Sequence, residues 1–322
     1  MIDSQFAAAA GPIMQSLGGM ERPKIHDVEA RRQVLAAIVP QQEPAIPDDV
    51  QHSVLSISTP DGAQIRLLRF QKKGGAQQAG STTAGPAVIH MHGGGLISLT
   101  ADVSIPAVCQ YVVASGVQFF SVDYRLAPEH PYPTPLEDCW AALQWVVQHA
   151  AELGVDTARI GVMGESAGGG LAAALAILSR DRGLSPPLKR QILLYPMLDD
   201  RTAVDTEPGD FTVWTLEDNI TGWTAYLGHD KVGKKDGVPA TAAPGRIEDV
   251  KGLPALYMDI GQADIFGLEN HAYLGKFLAA GIEAEFHLYP GLPHGFDSIA
   301  SQHFASVALN ENRCRQLKKL YD

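Results

Sequence analysis

The hydrophobic positions of the chain follow two different periods. Val54 and Ile57 alternate with polar residues before the turn 60–62, and Ile65 and Leu67 do so after it. This pattern predicts an antiparallel hairpin. Farther along the chain, short apolar runs alternate with longer segments of helical period, which predicts βαβ units. The sequence therefore predicts an α/β fold with a mostly parallel sheet and helices on both of its faces.

The predicted elements follow from these apolar runs and their periods. The hairpin is followed by six predicted strands: Ala87–Met91, Val117–Val122, Ile160–Met163, Arg190–Tyr195, Leu253–Ile260 and Glu283–Tyr289. Helices are predicted at Ser4–Leu17, His26–Ile38, Val103–Ser115, Pro135–Ala150, Leu171–Ser179, Gly267–Ala280 and Ser301–Leu320. The segment 72–86 is rich in Gly, Ser, Thr and Gln and is predicted to be a flexible surface loop.

Composition excludes several classes of partner. The 322 residues carry a formal net charge of −11, which argues against nucleic acid and anionic membrane surfaces. No run of about 18 apolar residues is present, so no membrane insertion is expected. The first 20 residues lack the basic start and long apolar core of a signal peptide. Three widely spaced cysteines, Cys109, Cys139 and Cys314, suit reduced thiols of a cytoplasmic protein.

The sequence G-E-S-A-G at residues 164–168 separates a predicted strand from a predicted helix. A serine with a glycine two residues away on each side, between strand and helix, is the pattern of a nucleophile elbow. The turn is so sharp that side chains at Gly164 or Gly168 would collide with neighbouring backbone. Ser166 is therefore the candidate nucleophile, although the motif alone also occurs as a glycine-rich turn with an incidental serine.

A serine nucleophile requires a general base, and the base requires an acid that orients it. Asp264 follows one predicted strand and His294 follows the last one, so both lie where open parallel sheets bind ligands. The order Ser166, Asp264, His294 is that of α/β-hydrolases. Asp259 is the rival acid, and it is disfavoured because it lies inside a predicted strand.

Residues 92–95 read H-G-G-G and follow the strand that begins the parallel sheet. Glycines without side chains let the backbone turn its N–H groups toward one point. The expected donors of an oxyanion hole are the N–H groups of Gly93 and Gly94, together with that of Ala167 in the elbow.

With these motifs, the chain from about Ala87 to Phe296 resembles the hormone-sensitive-lipase-like carboxylesterases, which are α/β-hydrolases with an N-terminal cap. The remaining matches are D-Y-R-L-A-P-E-H-P-Y-P at 123–133, Glu269 downstream of the acid, and H-G-F at 294–296. The resemblance implies ester hydrolysis with Ser166 as nucleophile, His294 as base and then acid, and Asp264 as orienting acid. No cofactor is implied. The chain departs from the family at Glu165, where Asp is commonest, at Gly170, and at 265–266 after the acid.

Two segments are predicted to form a cap. Residues 1–50 are an N-terminal helical segment, and residues 51–322 form the catalytic domain. Within that domain, 199–250 interrupts the alternation and is too long for a crossover loop, which suggests a lid. The alternative is a small helical hairpin that packs on the body. The insertion carries Phe211, Trp214, Trp223 and Tyr226 at a spacing typical of a helix, and Phe211 and Trp214 are the candidate substrate-binding residues.

Several residues and motifs admit other roles. His90 and His92 form an H-x-H pair, but no third residue has the spacing of a metal ligand, so no metal site is expected. The glycines at 168–170 lack the spacing of a nucleotide loop. The expected substrate is a small, uncharged ester with a short acyl chain. Amide, lactone or carbamate hydrolysis, interfacial lipase action and a ligand receptor of this fold are the alternatives. A homodimer is an assembly that the sequence permits.

Overall fold

The structure is a computed structural model that describes residues 2–17, 22–39, 44–74, 84–203, 211 and 214–322. Most of the loop predicted at 72–86 lies outside the described residues. In the described parts of the chain, every helix is too short or too polar to cross a bilayer.

One eight-stranded sheet with the order β1-β2-β4-β3-β5-β6-β7-β8 forms the centre of the fold. Its strands are β1 Val50–Ser58, β2 Gln64–Lys72, β3 Gly85–Met91, β4 Gln118–Asp123, β5 Val155–Glu165, β6 Arg190–Leu194, β7 Ala255–Gly261 and β8 Ala284–Tyr289. The first hairpin is antiparallel, β2 is antiparallel to β4, and the other neighbours are parallel. The predicted α/β class is therefore confirmed.

Helices cover the sheet on its faces. They are α1 Ser4–Leu17, α2 Val28–Ile38, α3 Ile105–Ser115, α4 Thr134–Gln148, α5 Ala150–Leu153, α6 Ala167–Asp181, α7 Leu216–Leu227, α8 Gly267–Ala280, α9 Phe296–Ile299 and α10 Phe304–Lys318. Short 3-10 turns occur at Ala101–Ser104 and Pro244–Arg246. Every residue of β3 and β6 is buried, as expected for central parallel strands that helices cover on both faces.

The spacing of the aromatic residues in the insertion predicts one helix, but the structure places only some of them on a helix. Thr215 and Asp218 form a capping box, in which the Thr215 side chain accepts from the Asp218 N–H. Because this box satisfies the first free N–H groups, α7 begins only at Leu216. Trp223 lies on α7, whereas Phe211 and Trp214 precede this helix. The prediction that these aromatic residues share one helix is therefore wrong.

Helix α1 packs against the loop after β8. Phe6 of α1 joins Leu292 and Phe296 in a second hydrophobic cluster, separate from the main core. The N–H of Asp3 donates to the carbonyl of Gly291 at 2.9 Å. This part of the N-terminal segment therefore contacts the region around residue 294.

Helix α2 packs instead against α7 of the insertion. Arg31 is 2% exposed, and its Nε–H donates to Asp218 at 2.8 Å. The backbone N–H of His26 donates to the Thr221 hydroxyl at 2.8 Å. Part of the N-terminal segment therefore packs directly on the insertion.

Candidate active site

Ser166 lies at the junction between β5 and α6 in a strained conformation. Its φ of 54° and ψ of −119° are unfavourable for a residue with a side chain. An added Cβ at Gly164 would lie 2.3 Å from the carbonyl oxygen of Gly168, and one at Gly168 would lie 2.1 Å from that of Met91. Both positions therefore require glycine. The Ser166 N–H donates to the carbonyl of Leu194 at 2.9 Å, which fixes the turn to β6.

Three of the predicted side chains form one hydrogen-bonded chain. The Nε2 atom of His294 lies 2.9 Å from Ser166 Oγ, and its Nδ1 lies 2.6 Å from Asp264 Oδ2. The Asp264 side chain is fully buried and that of His294 is 11% exposed. Because an ionised carboxylate only accepts hydrogen bonds, Nδ1 carries the proton and Nε2 presents its lone pair to the serine hydroxyl.

The acid and the base are held by the loops that leave β7 and β8. Asp264 Oδ1 accepts from the N–H of Phe266 at 3.0 Å, which fixes the carboxylate plane. The His294 ring is contacted edge-on by Tyr195 and Phe266, with ring centroids 5.0 and 5.2 Å away. Sequence reasoning missed Tyr195, although its position directly after β6 places it at the same edge of the sheet.

The rival acid, Asp259, has a different partner. Both of its carboxylate oxygens accept hydrogen bonds from the Arg313 guanidinium, at 2.7 and 2.8 Å, and neither side chain is exposed by more than 1%. Arg313 also donates to Asp297 at 2.6 Å. Asp259 therefore anchors α10 and α9 to the sheet, and the structure does not bring it to His294.

The glycine loop, defined here as residues 92–99, runs beside the nucleophile. An added Cβ at Gly93 would lie 3.6 Å from Ser166 Cβ. Gly94 adopts a φ of 117°, and a Cβ there would lie 2.2 Å from the carbonyl oxygen of Ser98. Within the described residues, the N–H groups of Gly93 and Gly94 have no hydrogen-bond acceptor. Ala167 is the first residue of α6, where N–H groups have no partner inside the helix.

His92 stabilises the glycine loop through ring stacking and hydrogen bonds. Its ring stacks on Tyr124 with centroids 4.2 Å apart, and the Tyr124 hydroxyl donates to the His92 carbonyl at 2.7 Å. Nδ1–H donates to the Gly93 carbonyl at 2.7 Å. Burial lowers the pKa of His92, and the hydrogen bond to Gly93 opposes this shift.

A buried polar network lies behind the elbow. Glu165 is hydrogen-bonded to His90 Nε2 at 2.9 Å and to the Ser104 hydroxyl at 2.8 Å. His90 Nδ1 lies 2.9 Å from the Ser121 hydroxyl. Burial raises the pKa of Glu165, but the electrostatic interaction with His90 and the hydrogen bonds with His90 and Ser104 together lower it. Glu165 stands where the family most commonly has Asp, and its carboxylate reaches Ser104 and His90.

The two candidate substrate-binding aromatics lie in different places. Trp214 is 5% exposed and its ring packs on Gly95 of the glycine loop. Its indole N–H has no hydrogen-bond partner among the described residues. Phe211 is half-buried and contacts Phe6 of α1 edge-on, with ring centroids 6.1 Å apart. Trp214 therefore touches the loop beside Ser166, whereas Phe211 joins the cluster formed by α1.

The side chains of His90 and His92 form hydrogen bonds within the protein. Both ring nitrogens of His90 have side-chain partners, and His92 is bonded to its own loop. Among the described residues, no group of three or more His, Cys, Asp and Glu side chains is arranged to hold a metal ion.

Comparison with known proteins places this architecture in a family. A family profile described as an α/β hydrolase fold matches residues 88–298. The chain is 38% identical over 219 residues to the carboxylesterase NlhH of Mycobacterium tuberculosis, covering 67% of each chain. A stretch of 100 residues is 39% identical to the hormone-sensitive lipase of Mus musculus, covering 31% of this chain and 13% of that one.

A solved structure, that of a bacterial heroin esterase, superposes with a TM-score of 0.88 at 31% identity, covering 100% of this chain and 98% of that one. The match extends over the N-terminal segment and the insertion as well as the sheet. The chain belongs to the hormone-sensitive-lipase-like carboxylesterases, a family of carboxylic ester hydrolases with the α/β-hydrolase fold.

Proposed function

We propose that the protein is a serine carboxylesterase that hydrolyses small, uncharged esters with short acyl chains through an acyl-enzyme on Ser166. The observation that carries this proposal is the unbroken hydrogen-bond chain from Ser166 Oγ through His294 to Asp264. A strained serine beside backbone N–H groups that have no acceptor among the described residues adds to it. Together these groups supply a nucleophile, a base, an orienting acid and an oxyanion site.

In the first half of the reaction, Ser166 Oγ attacks the ester carbonyl carbon while its proton passes to His294 Nε2. Asp264 stabilises the imidazolium that forms. The carbonyl oxygen becomes an oxyanion, which the N–H groups of Gly93, Gly94 and Ala167 stabilise by hydrogen bonds. Collapse of the tetrahedral intermediate breaks the bond to the alcohol oxygen, which takes the proton from Nε2 and leaves as the alcohol.

In the second half, water attacks the acyl-enzyme. His294 Nε2 takes a proton from the water as its oxygen bonds to the acyl carbon, and the same N–H groups stabilise the second oxyanion. Collapse then breaks the bond to Ser166 Oγ, which recovers the proton from Nε2. The products are a carboxylic acid and free enzyme.

Two features favour small, uncharged substrates. The Trp214 ring occupies space directly beside the glycine loop and leaves less room for a long chain. A formal net charge of −11 disfavours the approach of anionic esters. We assign Trp214 and Phe211 to the walls of the substrate pocket, and residues 1–50 and 199–250 to the cap. A cytoplasmic location, the absence of a cofactor and a homodimer also stay predictions.

The direct test is labelling with a fluorophosphonate followed by peptide mass mapping. The reagent is expected to modify Ser166 alone, and Ser166→Ala is expected to abolish ester turnover with an unchanged thermal melt. Modification that persists in the Ser166→Ala protein would overturn the assignment. A panel of p-nitrophenyl esters, anilides, lactones and carbamates then measures which acyl bond the enzyme prefers.

A further inference from the structure

Arg32 in α2 joins the N-terminal segment to the glycine loop. Its Nε–H donates to the carbonyl of Ile97 at 2.7 Å, and its Nη2 donates to the carbonyl of Ala127 at 3.1 Å. Two further hydrogen bonds of 2.7 Å reach the two carboxylate oxygens of Glu129. One side chain therefore connects a cap helix to two separate segments of the catalytic body.

The Ile97 carbonyl belongs to the turn of the glycine loop, and the Ala127 carbonyl belongs to a second segment that is hydrogen-bonded to this turn. The N–H groups of Ile97 and Ser98 both donate to the carbonyl of Gly94, at 3.2 and 3.1 Å. The N–H of Ala127 donates to the carbonyl of Leu96 at 3.0 Å. The guanidinium thus holds the far end of the same turn whose near end presents the N–H groups proposed to bind the oxyanion.

This loop contains backbone strain that other contacts must offset. Leu96 and Leu99 have φ values of 68° and 69°, in the left-handed region that side chains disfavour. Such residues cost about 1–3 kcal/mol each, and they persist only where the surroundings fix them. A loop of this kind would relax if its anchors were removed.

An ordinary surface ion pair would not have this effect. Glu129 is 54% exposed, and exposed ion pairs contribute little to stability. The hydrogen bonds from Arg32 to Ile97 and Ala127 differ, because both acceptors belong to buried residues. Hydrogen bonds from a charged donor are about twice as strong as neutral ones.

We infer that Arg32 is a positioning residue for the oxyanion site: by holding the Ile97 and Ala127 carbonyls, it keeps Gly93 and Gly94 in the geometry that stabilises the transition state. This inference rests on the proposed function. It gives the N-terminal segment a role in the chemical step, beyond covering the substrate.

The test compares Arg32→Met with wild type on p-nitrophenyl acetate and with a trifluoromethyl ketone, which forms an oxyanion on the nucleophilic serine. Loss of one oxyanion donor costs about 10²–10³ in turnover, and we expect displaced donors to cost roughly tenfold in kcat. KM is expected to change less than about twofold. Inhibition by the ketone is expected to weaken by about the same factor as kcat/KM.

Three variants serve as controls. Arg182→Met removes an arginine that is paired through two nitrogens with Glu137 on the surface, and it is expected to behave as wild type. Glu129→Gln leaves the carbonyl contacts of Arg32 in place and is expected to change kcat by less than about twofold. Arg32→Lys retains the charge, but a single ammonium group cannot reach both carbonyls. It is measured in place of Arg32→Met if that variant fails to fold, and it is expected to show a smaller fall in kcat.

A raised KM with unchanged kcat in a folded Arg32 variant would overturn the inference, because Arg32 would then only hold the cap over the substrate. Unchanged kinetics, or an equal loss in Arg182→Met, would overturn it as well. Fluorophosphonate labelling of Ser166 in the wild-type protein tests the proposed function separately, so the two failures are distinguishable.

Discussion

The ring of Trp214 lies so close to Gly95 that an added Cβ on the glycine would stand 2.0 Å from Trp214 Cη2. Gly95 also has a φ of +63°, in the left-handed region. Trp214 of the insertion and Gly95 of the glycine loop are therefore complementary in shape, so that the position of each one limits the space available to the other.

Gly95→Ala is expected to lower kcat by roughly tenfold or more, because the new methyl group must displace either the indole or the loop that carries the oxyanion donors. Gly183→Ala is the matched control, since Gly183 has a similar φ of +68° with no atom within 4 Å of an added Cβ. Steady-state kinetics and thermal melts of both variants separate backbone strain from the collision. Recovery of kcat in the double variant Gly95→Ala/Trp214→Ala would identify the indole as the group that the new methyl displaces. Equal losses of kcat in Gly95→Ala and Gly183→Ala would contradict the prediction.

Trp214→Ala is expected to shift the preferred acyl length toward longer chains, because only a longer chain can fill the space that the indole leaves. KM is expected to change more than kcat on acetate esters. Phe211→Ala is expected to shift the profile less, because its ring packs on Phe6 of α1. The measurement is kcat/KM across p-nitrophenyl esters of about two to ten acyl carbons, with melts as a check on folding. An unchanged profile in folded variants would make both rings packing residues only.

Asp264→Asn is expected to lower kcat by up to about 10⁴, because an amide cannot hold the imidazole in its productive tautomer or stabilise the imidazolium. Asp259→Asn is expected to act on stability instead. It leaves the buried Arg313 with a weaker partner, and breaking a buried ion pair costs about 3–5 kcal/mol. Kinetics and chemical denaturation of both variants give the ranking, and the reverse ranking would move the orienting role to Asp259.

Glu269 predicts a pH dependence of stability. Burial raises the pKa of Glu269 well above its usual value, against the hydrogen bonds from the Leu198 N–H and the Thr202 hydroxyl, which favour the charged form. The folded protein therefore binds this proton more tightly than the unfolded chain. That contribution to stability is complete below the usual carboxyl pKa and is lost as the pH rises through the raised value.

Glu269→Gln can keep a hydrogen bond to each partner without a titratable group, because its amide oxygen can accept from the Leu198 N–H and its amide N–H can donate to the Thr202 hydroxyl. The Tm of the variant is expected to rise relative to that of wild type as the pH increases above the usual carboxyl value of about 4.3, since only wild type carries this titrating group. Glu269→Ala, which keeps neither hydrogen bond, is expected to melt below wild type throughout. A constant difference in Tm between the Gln variant and wild type would show that the carboxyl group does not titrate in this range.

The centre of the sheet was predictable from sequence because its strands are short apolar runs of the length that parallel strands require, and the first hairpin was predictable from its alternation. The chain order of Ser166, Asp264 and His294 was predictable for a related reason, since each residue follows a strand whose end meets the same edge of the sheet. The start of α7 was also readable in principle. Thr215 and Asp218 have the spacing of a capping box, a local signal that the aromatic spacing obscured.

Other features depended on contacts that no local pattern encodes. The fit of Trp214 to Gly95 joins the insertion to a loop more than a hundred residues earlier, and neither neighbourhood implies the other. The sequence likewise does not indicate the role of Arg32, which lies on an amphipathic helix, because its hydrogen bond to Ile97 exists only in the folded protein. Such pairs exist only once the tertiary arrangement is known.

The docking of α1 beside residue 294 has a consequence for the order of folding and melting. Asp3 lies 3.1 Å from His303, across 300 positions of sequence, and Phe6 packs on Leu292. Contacts of such long range form only after loop closure has become inexpensive, when the intervening chain is already organised. A small cluster outside the main core is also among the first regions to open on heating. Helix α1 is therefore expected to dock late and to detach early, so that residues 291–296 lose its support before the sheet melts.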